Sequence, residues 1–293
     1  MRYNACDMTR SAEYELPVKV DRGAGPALVL LHGLGNNHQS WGYVLDALEA
    51  ENYGDHRVII PDLLGFGSAP KPKPAECGYD TEDHARAVIA MLERLDVSDA
   101  VLAGHSMGCL VASRVALERP DLVSRLVLLG PPLYKRIPRG SLWERIRHAD
   151  GAYFTIFSVV SRNPKLTIKA AKLADKLSPL LQGMQVTRAT WPAFTSSLRN
   201  TIMSTAPFLD VTRLTVPTLL VHGKLDIFVV KRNLRAAARR NRGQVRFISV
   251  AGPHEITPLQ GKMVAEMLLR PKQARHLSLF SVVKKHFLAK REA

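Results

Sequence analysis

The sequence predicts an α/β fold: a mostly parallel central sheet flanked by helices, interrupted by a helical insertion. Three observations predict it. Short apolar runs bounded by Gly, Pro or Asp alternate with helical patterns, as in a sheet buried on both faces. The alternation stops over residues 133–210, where helical stretches are divided by Pro164, Pro179, Gly183, Pro192 and Pro207, and then resumes. One strand runs straight into Gly104-His105-Ser106-Met107-Gly108 and a helix follows at once.

The strands are read in order. Ala27-Leu28-Val29-Leu30-Leu31 and Arg57-Val58-Ile59-Ile60-Pro61 are continuous apolar runs of strand length. Thr81 to Leu95 has the helical period, with Ala85, Val88, Ile89 and Leu92 as its inner stripe and Thr81 as its cap. Ala100-Val101-Leu102-Ala103 leads into the serine turn, and Leu110 to Glu118 continues as helix until Pro120. Leu126 to Gly130, Thr218 to Val221 and Val245 to Val250 complete the sheet. Val230 to Arg240 and Leu259 to Leu269 are its last helices. The division is therefore 1–132 with 211–270 as core, 133–210 as a helical cap, and 271–293 as a basic amphipathic tail.

Composition narrows the function classes. A chain of 293 residues with 46% apolar and 23% charged residues has the makeup of a globular protein with a sizeable core. The first residues hold no apolar run resembling a secretory signal, and no stretch of about 18 uncharged apolar residues occurs. Cys6, Cys77 and Cys109 are too few and scattered for a disulfide framework or a zinc site, so the expectation is a cytoplasmic protein with reduced thiols. The net charge of +15 is uneven: residues 1–133 carry −6, 134–210 carry +8, 211–261 carry +7 and 262–293 carry +6. No nucleic-acid motif accompanies the basic half, so nucleic acid is not expected as a partner.

The strand-to-helix context gives the serine turn its meaning. A serine on so tight a turn exposes Oγ at the carboxyl end of the sheet and aims the Met107 amide at a developing oxyanion. A serine hydroxyl is a poor nucleophile until a base takes its proton and an acid orients that base. Asp226 follows Thr218 to Val221 through His222-Gly223-Lys224-Leu225, and His254 follows Val245 to Val250 through Ala251-Gly252-Pro253. All three loops open on one edge of a parallel sheet, where ligands bind. Asp62 competes as the acid, but its turn, Asp62 to Gly67, suits it to bonding loop amides. His32 and His105 read as structural support beside the site.

With these residues assembled, the sequence resembles the α/β-hydrolase superfamily over about residues 14–132 and 211–270. The matching motifs are His32-Gly33-Leu34-Gly35 with Trp41, Asp62 with Gly65 and Gly67, the serine elbow, His222 to Asp226, and Gly252-Pro253-His254. The order Ser, Asp, His is the family's order. By resemblance the second oxyanion amide is Leu34, and residues 133–210 cap the site. Two departures stand out: Pro253 intervenes in the family's usual Gly-His, and the N-terminal hairpin is short.

Serine at 106 disfavours the relatives that open epoxides or displace halides with an aspartate. His105 and Glu255 differ from the Asn and Trp often found in carbon–carbon hydrolases of this type. A small-molecule carboxylic ester or thioester, with an acyl chain or an acidic group, is the expected substrate, and no metal or organic cofactor is required. An acyltransferase, a carbon–carbon hydrolase and a non-catalytic ligand-binding protein on the same fold are the alternatives. In the tail, Leu279, Phe280, Val283 and Phe287 share a helical face bordered by Lys284 and Lys285. That face either docks on the body or makes a weak contact with an anionic membrane.

Overall fold

The computed structural model describes residues 14–135, 149–177 and 186–270. The tail lies outside them. Seven strands form one sheet: β1 (Val18–Arg22), β2 (Ala27–Leu31), β3 (Arg57–Pro61), β4 (Ala100–His105), β5 (Val123–Leu129), β6 (Thr218–Gly223) and β7 (Val245–Val250). Their order is β1-β3-β2-β4-β5-β6-β7. Every pairing is parallel except that of β1 with β3. β1 does not pair with β2, its neighbour in sequence, but lies antiparallel on β3 and closes that edge.

Helices cover both faces, which is why the central strands hold continuous apolar runs instead of alternating. Leu28, Leu30, Val58, Ile60 and Val127 pack on one side with α1 (Gly42–Ala50) and α9 (Pro258–Leu269). Val29, Leu31, Ile59, Leu126 and Leu128 pack on the other with α2 (Thr81–Arg94) and α3 (Met107–Glu118). The cap expected for α2 shifts by one residue: the Asp80 carboxylate accepts the Asp83 amide, and Thr81 is buried within the first turn. Both side chains can cap, and Asp80 holds the extended backbone a cap requires.

Between β5 and β6 every described element is helical: α4 (Ala149–Arg162), α5 (Pro164–Leu177), α6 (Trp191–Ser197), a π-helical turn (Leu198–Ile202) and α7 (Ala206–Arg213). α8 (Lys231–Arg240) then links β6 to β7. Phe154 is buried, its ring 5.3 Å from that of Tyr134, while Ile156 stands half exposed.

Candidate active site

Strand β4 ends at His105 and helix α3 begins at Met107, so Ser106 makes the whole turn. Its backbone has φ 52° and ψ −116°, a left-handed φ that costs a non-glycine residue on the order of 1–3 kcal/mol. The glycines on either side make the turn possible. A Cβ on Gly104 would lie 2.5 Å from the backbone of Gly108 and Cys109, and one on Gly108 would lie 2.1 Å from the Leu31 carbonyl oxygen. Gly108→Ala therefore forces α3 off β2 and is expected to cost about 3 kcal/mol, read as a lower urea midpoint. An unchanged midpoint would mean that the close approach is not required.

The serine amide donates to the Leu129 carbonyl at 2.9 Å, tying the turn to the end of β5. Gly130, the next residue, lies directly against the acid–base pair: a Cβ there would sit 3.1 Å from Asp226 Oδ2 and 3.2 Å from His254 Nδ1. Leu129 and Gly130 thus place the serine turn and the Asp226–His254 pair at the same end of β5. His254 Nδ1 and Asp226 Oδ2 are 2.8 Å apart, and both side chains are largely buried. With Nδ1–H donating to the carboxylate, Nε2 keeps its lone pair free to take a proton. The other oxygen, Oδ1, accepts the Phe228 amide at 2.8 Å, which fixes the acid's orientation.

Burial of His254 disfavours its charged form, but the hydrogen bond and charge of Asp226, with Glu255 nearby, outweigh it and raise the pKa above 6.5. Pro253 does not spoil the base loop. The Pro253 carbonyl accepts from Gln260 Nε2, and the Gly252 carbonyl accepts the Leu225 amide. Asp62, the competing acid, faces elsewhere. Its carboxylate accepts the His38 amide, His38 Nδ1, and the Ser68 amide and hydroxyl, all at 2.8–2.9 Å. Burial alone would raise its pKa; these donors instead bring it down to about 2.

The two histidines read as support have definite partners. His32 Nε2 accepts the Leu63 amide at 2.8 Å, and Nδ1 lies 2.9 Å from the Gly33 carbonyl. That pattern needs one neutral tautomer, and complete burial lowers the His32 pKa to about 4. His105 Nε2 lies 2.9 Å from the His254 carbonyl, so the residue before the serine holds the backbone of the base. Gly33 lies against Ser106, where a Cβ would come within 3.3 Å of the serine Cβ, so the Leu34 loop borders Ser106. Among the described residues neither the Leu34 nor the Met107 amide is engaged by a hydrogen bond. Nor is any group of three His, Cys, Asp or Glu side chains arranged there to hold a metal ion.

Two features were not read from the sequence. The Phe228 ring lies 5.2 Å from that of His254, edge to face, and Phe194 and Val186 of the insertion lie over Gly35, the residue after Leu34. Only the fold brings these residues to the site.

A family profile described as alpha/beta hydrolase fold matches residues 26–256. A putative non-heme chloroperoxidase of Synechocystis is 29% identical over 270 residues, covering 85% of this chain and 92% of that one. A haloalkane dehalogenase of Mycolicibacterium paratuberculosis is 36% identical over 118 residues, covering 39% of this chain and 38% of that one. The first curated relatives are matched over only 30 to 38% of their own length. Among solved structures, an esterase from Exiguobacterium antarcticum superposes with a TM-score of 0.69 at 21% identity, covering 87% of this chain and 94% of that one. Among the described residues no helix is long and apolar enough to cross a membrane.

Proposed function

Because the chain belongs to the alpha/beta hydrolase fold family, we propose that it is a serine hydrolase cleaving carboxylic esters or thioesters through an acyl-enzyme. The observation that carries the reading is the 2.8 Å Asp226–His254 bond beside a serine held at φ 52°. His254 Nε2 takes the Ser106 proton as Oγ attacks the carbonyl carbon, and the amides of Leu34 and Met107 receive the oxyanion. The leaving alcohol or thiol departs with that proton. Water, deprotonated by the same nitrogen, then releases the acid and restores the serine. Relatives named for halide displacement or epoxide opening share the fold, but a hydroxyl at position 106 favours an acyl intermediate over the aspartyl ester an acid nucleophile would form.

Labelling with a fluorophosphonate, followed by turnover of short p-nitrophenyl esters and thioesters, tests this reading. One adduct on Ser106 with turnover is the expected result. An adduct without turnover of either class would favour a ligand-binding protein, and product formed only with an added alcohol or amine would favour an acyltransferase.

The pH dependence follows from the base. His254 acts only when neutral, so kcat/KM should rise with pH along a single-proton limb centred above 6.5. The same raised pKa has an opposite sign for stability. Its contribution is fully present below 6.5 and is lost as pH rises through the folded value. Activity should therefore increase over the interval in which this contribution fades. A limb centred below 6.5, or no limb, would refute the pairing of His254 with a carboxylate.

A further inference from the structure

Seven of the eight large apolar side chains exposed among the described residues fall in three connected segments. Ile156 and Val159 stand on α4, Leu166 and Leu173 on α5, and Leu225, Ile227 and Phe228 on the loop that carries Asp226, with exposures of 42 to 71%. The Tyr153 hydroxyl donates to the Ile227 carbonyl, joining α4 to the acid loop. The Thr167 hydroxyl bonds the Val160 carbonyl at 3.0 Å, and the Asn163 amide bonds that of Val159 at 2.7 Å, joining α5 to α4. Since Phe228 packs on His254, this apolar surface abuts the catalytic base.

Cations border it. Lys165, Lys169 and Lys172 are exposed on α5 at helical spacing, and the acid loop is bracketed by Lys224 before it and Lys231 and Arg232 after it. Among the described residues none of the six is paired with a carboxylate. Residues 211–261 contain only Asp226 and Glu255 as acids.

We infer that this face docks on an anionic lipid surface, its apolar residues entering the acyl boundary and its lysines meeting the headgroups. Charge argues against the other occupants. A second copy carries the same +15, and residues 262–293 carry +6, so dimer and tail would both bring cations to cations. A nucleic acid would satisfy the lysines but leave the leucines and isoleucines in water. On the proposed hydrolase chemistry, docking sets the site opening against the bilayer and favours lipid-borne esters. The docking itself needs no catalysis.

Binding is therefore measured by co-sedimentation with the full-length Ser106→Ala chain. The vesicles are phosphatidylcholine alone or mixed equally with phosphatidylglycerol, at low and high salt. Preference for the anionic vesicles, lost at high salt, is expected. Leu166→Ser with Leu173→Ser should weaken binding about a hundredfold, since each leucine contributes at least tenfold when buried. Lys165, Lys169 and Lys172 changed together to Gln should weaken it by a similar factor, about fivefold per cation. Both variants alter exposed side chains and should melt like the parent. Deleting residues 271–293 should leave binding in place. The inference is overturned if anionic vesicles are not preferred, or if the variants bind like the parent. It is also overturned if only the tail deletion abolishes binding, or if the chain binds duplex DNA but no vesicle. Esterase loss in Ser106→Ala without loss of binding separates failure of the chemistry from failure of the docking.

Discussion

Ser106→Ala should abolish turnover of p-nitrophenyl esters, by roughly 10⁴-fold or more in kcat, while the protein folds as before. On the proposed mechanism the loss is large because the hydroxyl oxygen forms the bond to the acyl carbon, and the amides proposed for the oxyanion leave only the residual catalysis of a bound, polarised carbonyl. Folding should survive because the serine's structural bonds are made by its backbone, the amide donating to Leu129 and the carbonyl accepting from Cys109, and alanine keeps both. The alanine Cβ also takes the same strained φ of 52° without adding an atom. Retention of more than a few per cent of the parent activity would remove Ser106 from the mechanism.

Asp226→Asn should lower kcat by roughly 10⁴-fold, because an amide cannot stabilise the imidazolium and can hold His254 in the wrong tautomer. A second readout separates this from simple misfolding. In the parent, the Asp226 bond and charge keep the His254 pKa above 6.5 against the pull of burial. Without the carboxylate, burial prevails, and the limb of the residual kcat/KM should move to lower pH. Asp62→Asn is the matched control. It disturbs the His38 and Ser68 contacts and should reduce stability, yet leave the limb where it was. If Asp62→Asn abolishes activity and Asp226→Asn does not, the acid has been wrongly assigned.

The serine turn was legible because its evidence is local: an apolar strand, two glycines around a serine and a helix all lie within residues 100–118. The order of Asp226 and His254 was legible for a related reason, since each follows a strand whose carboxyl end must face the same edge of a parallel sheet. What escaped were pairings set by the third dimension. His38 and Asp62 are 24 residues apart and meet only because β2 and β3 lie side by side. The partner of β1 was not read from the sequence, because the strand passes over β2, its neighbour in the chain, to lie on β3. Phe228 escaped because its position against His254 depends on the curl of the acid loop, not on any periodicity. The exposed apolar residues of α4 and α5 read equally well as core, since a helical stripe does not say what lies opposite it.

Strands β5 and β6 are hydrogen-bonded neighbours from Leu126 opposite Thr218 to Leu129 opposite Val221, yet residues 130–217 separate them in the chain. Closing so long a loop is inexpensive at equilibrium, because each doubling of length adds only about 0.6 kcal/mol. The timing is another matter. A ribosome delivers Ser106, its elbow and β5 well before β6 exists, and the whole insertion must emerge while β5 waits as the outer strand. On the proposed mechanism the serine has neither acid nor base during that interval and is chemically inert. The waiting edge of β5 offers unpaired backbone groups to any other nascent strand. Synthesis of the insertion is therefore the period in which this protein is most open to mispairing, and slowing translation there should raise its demand for chaperones.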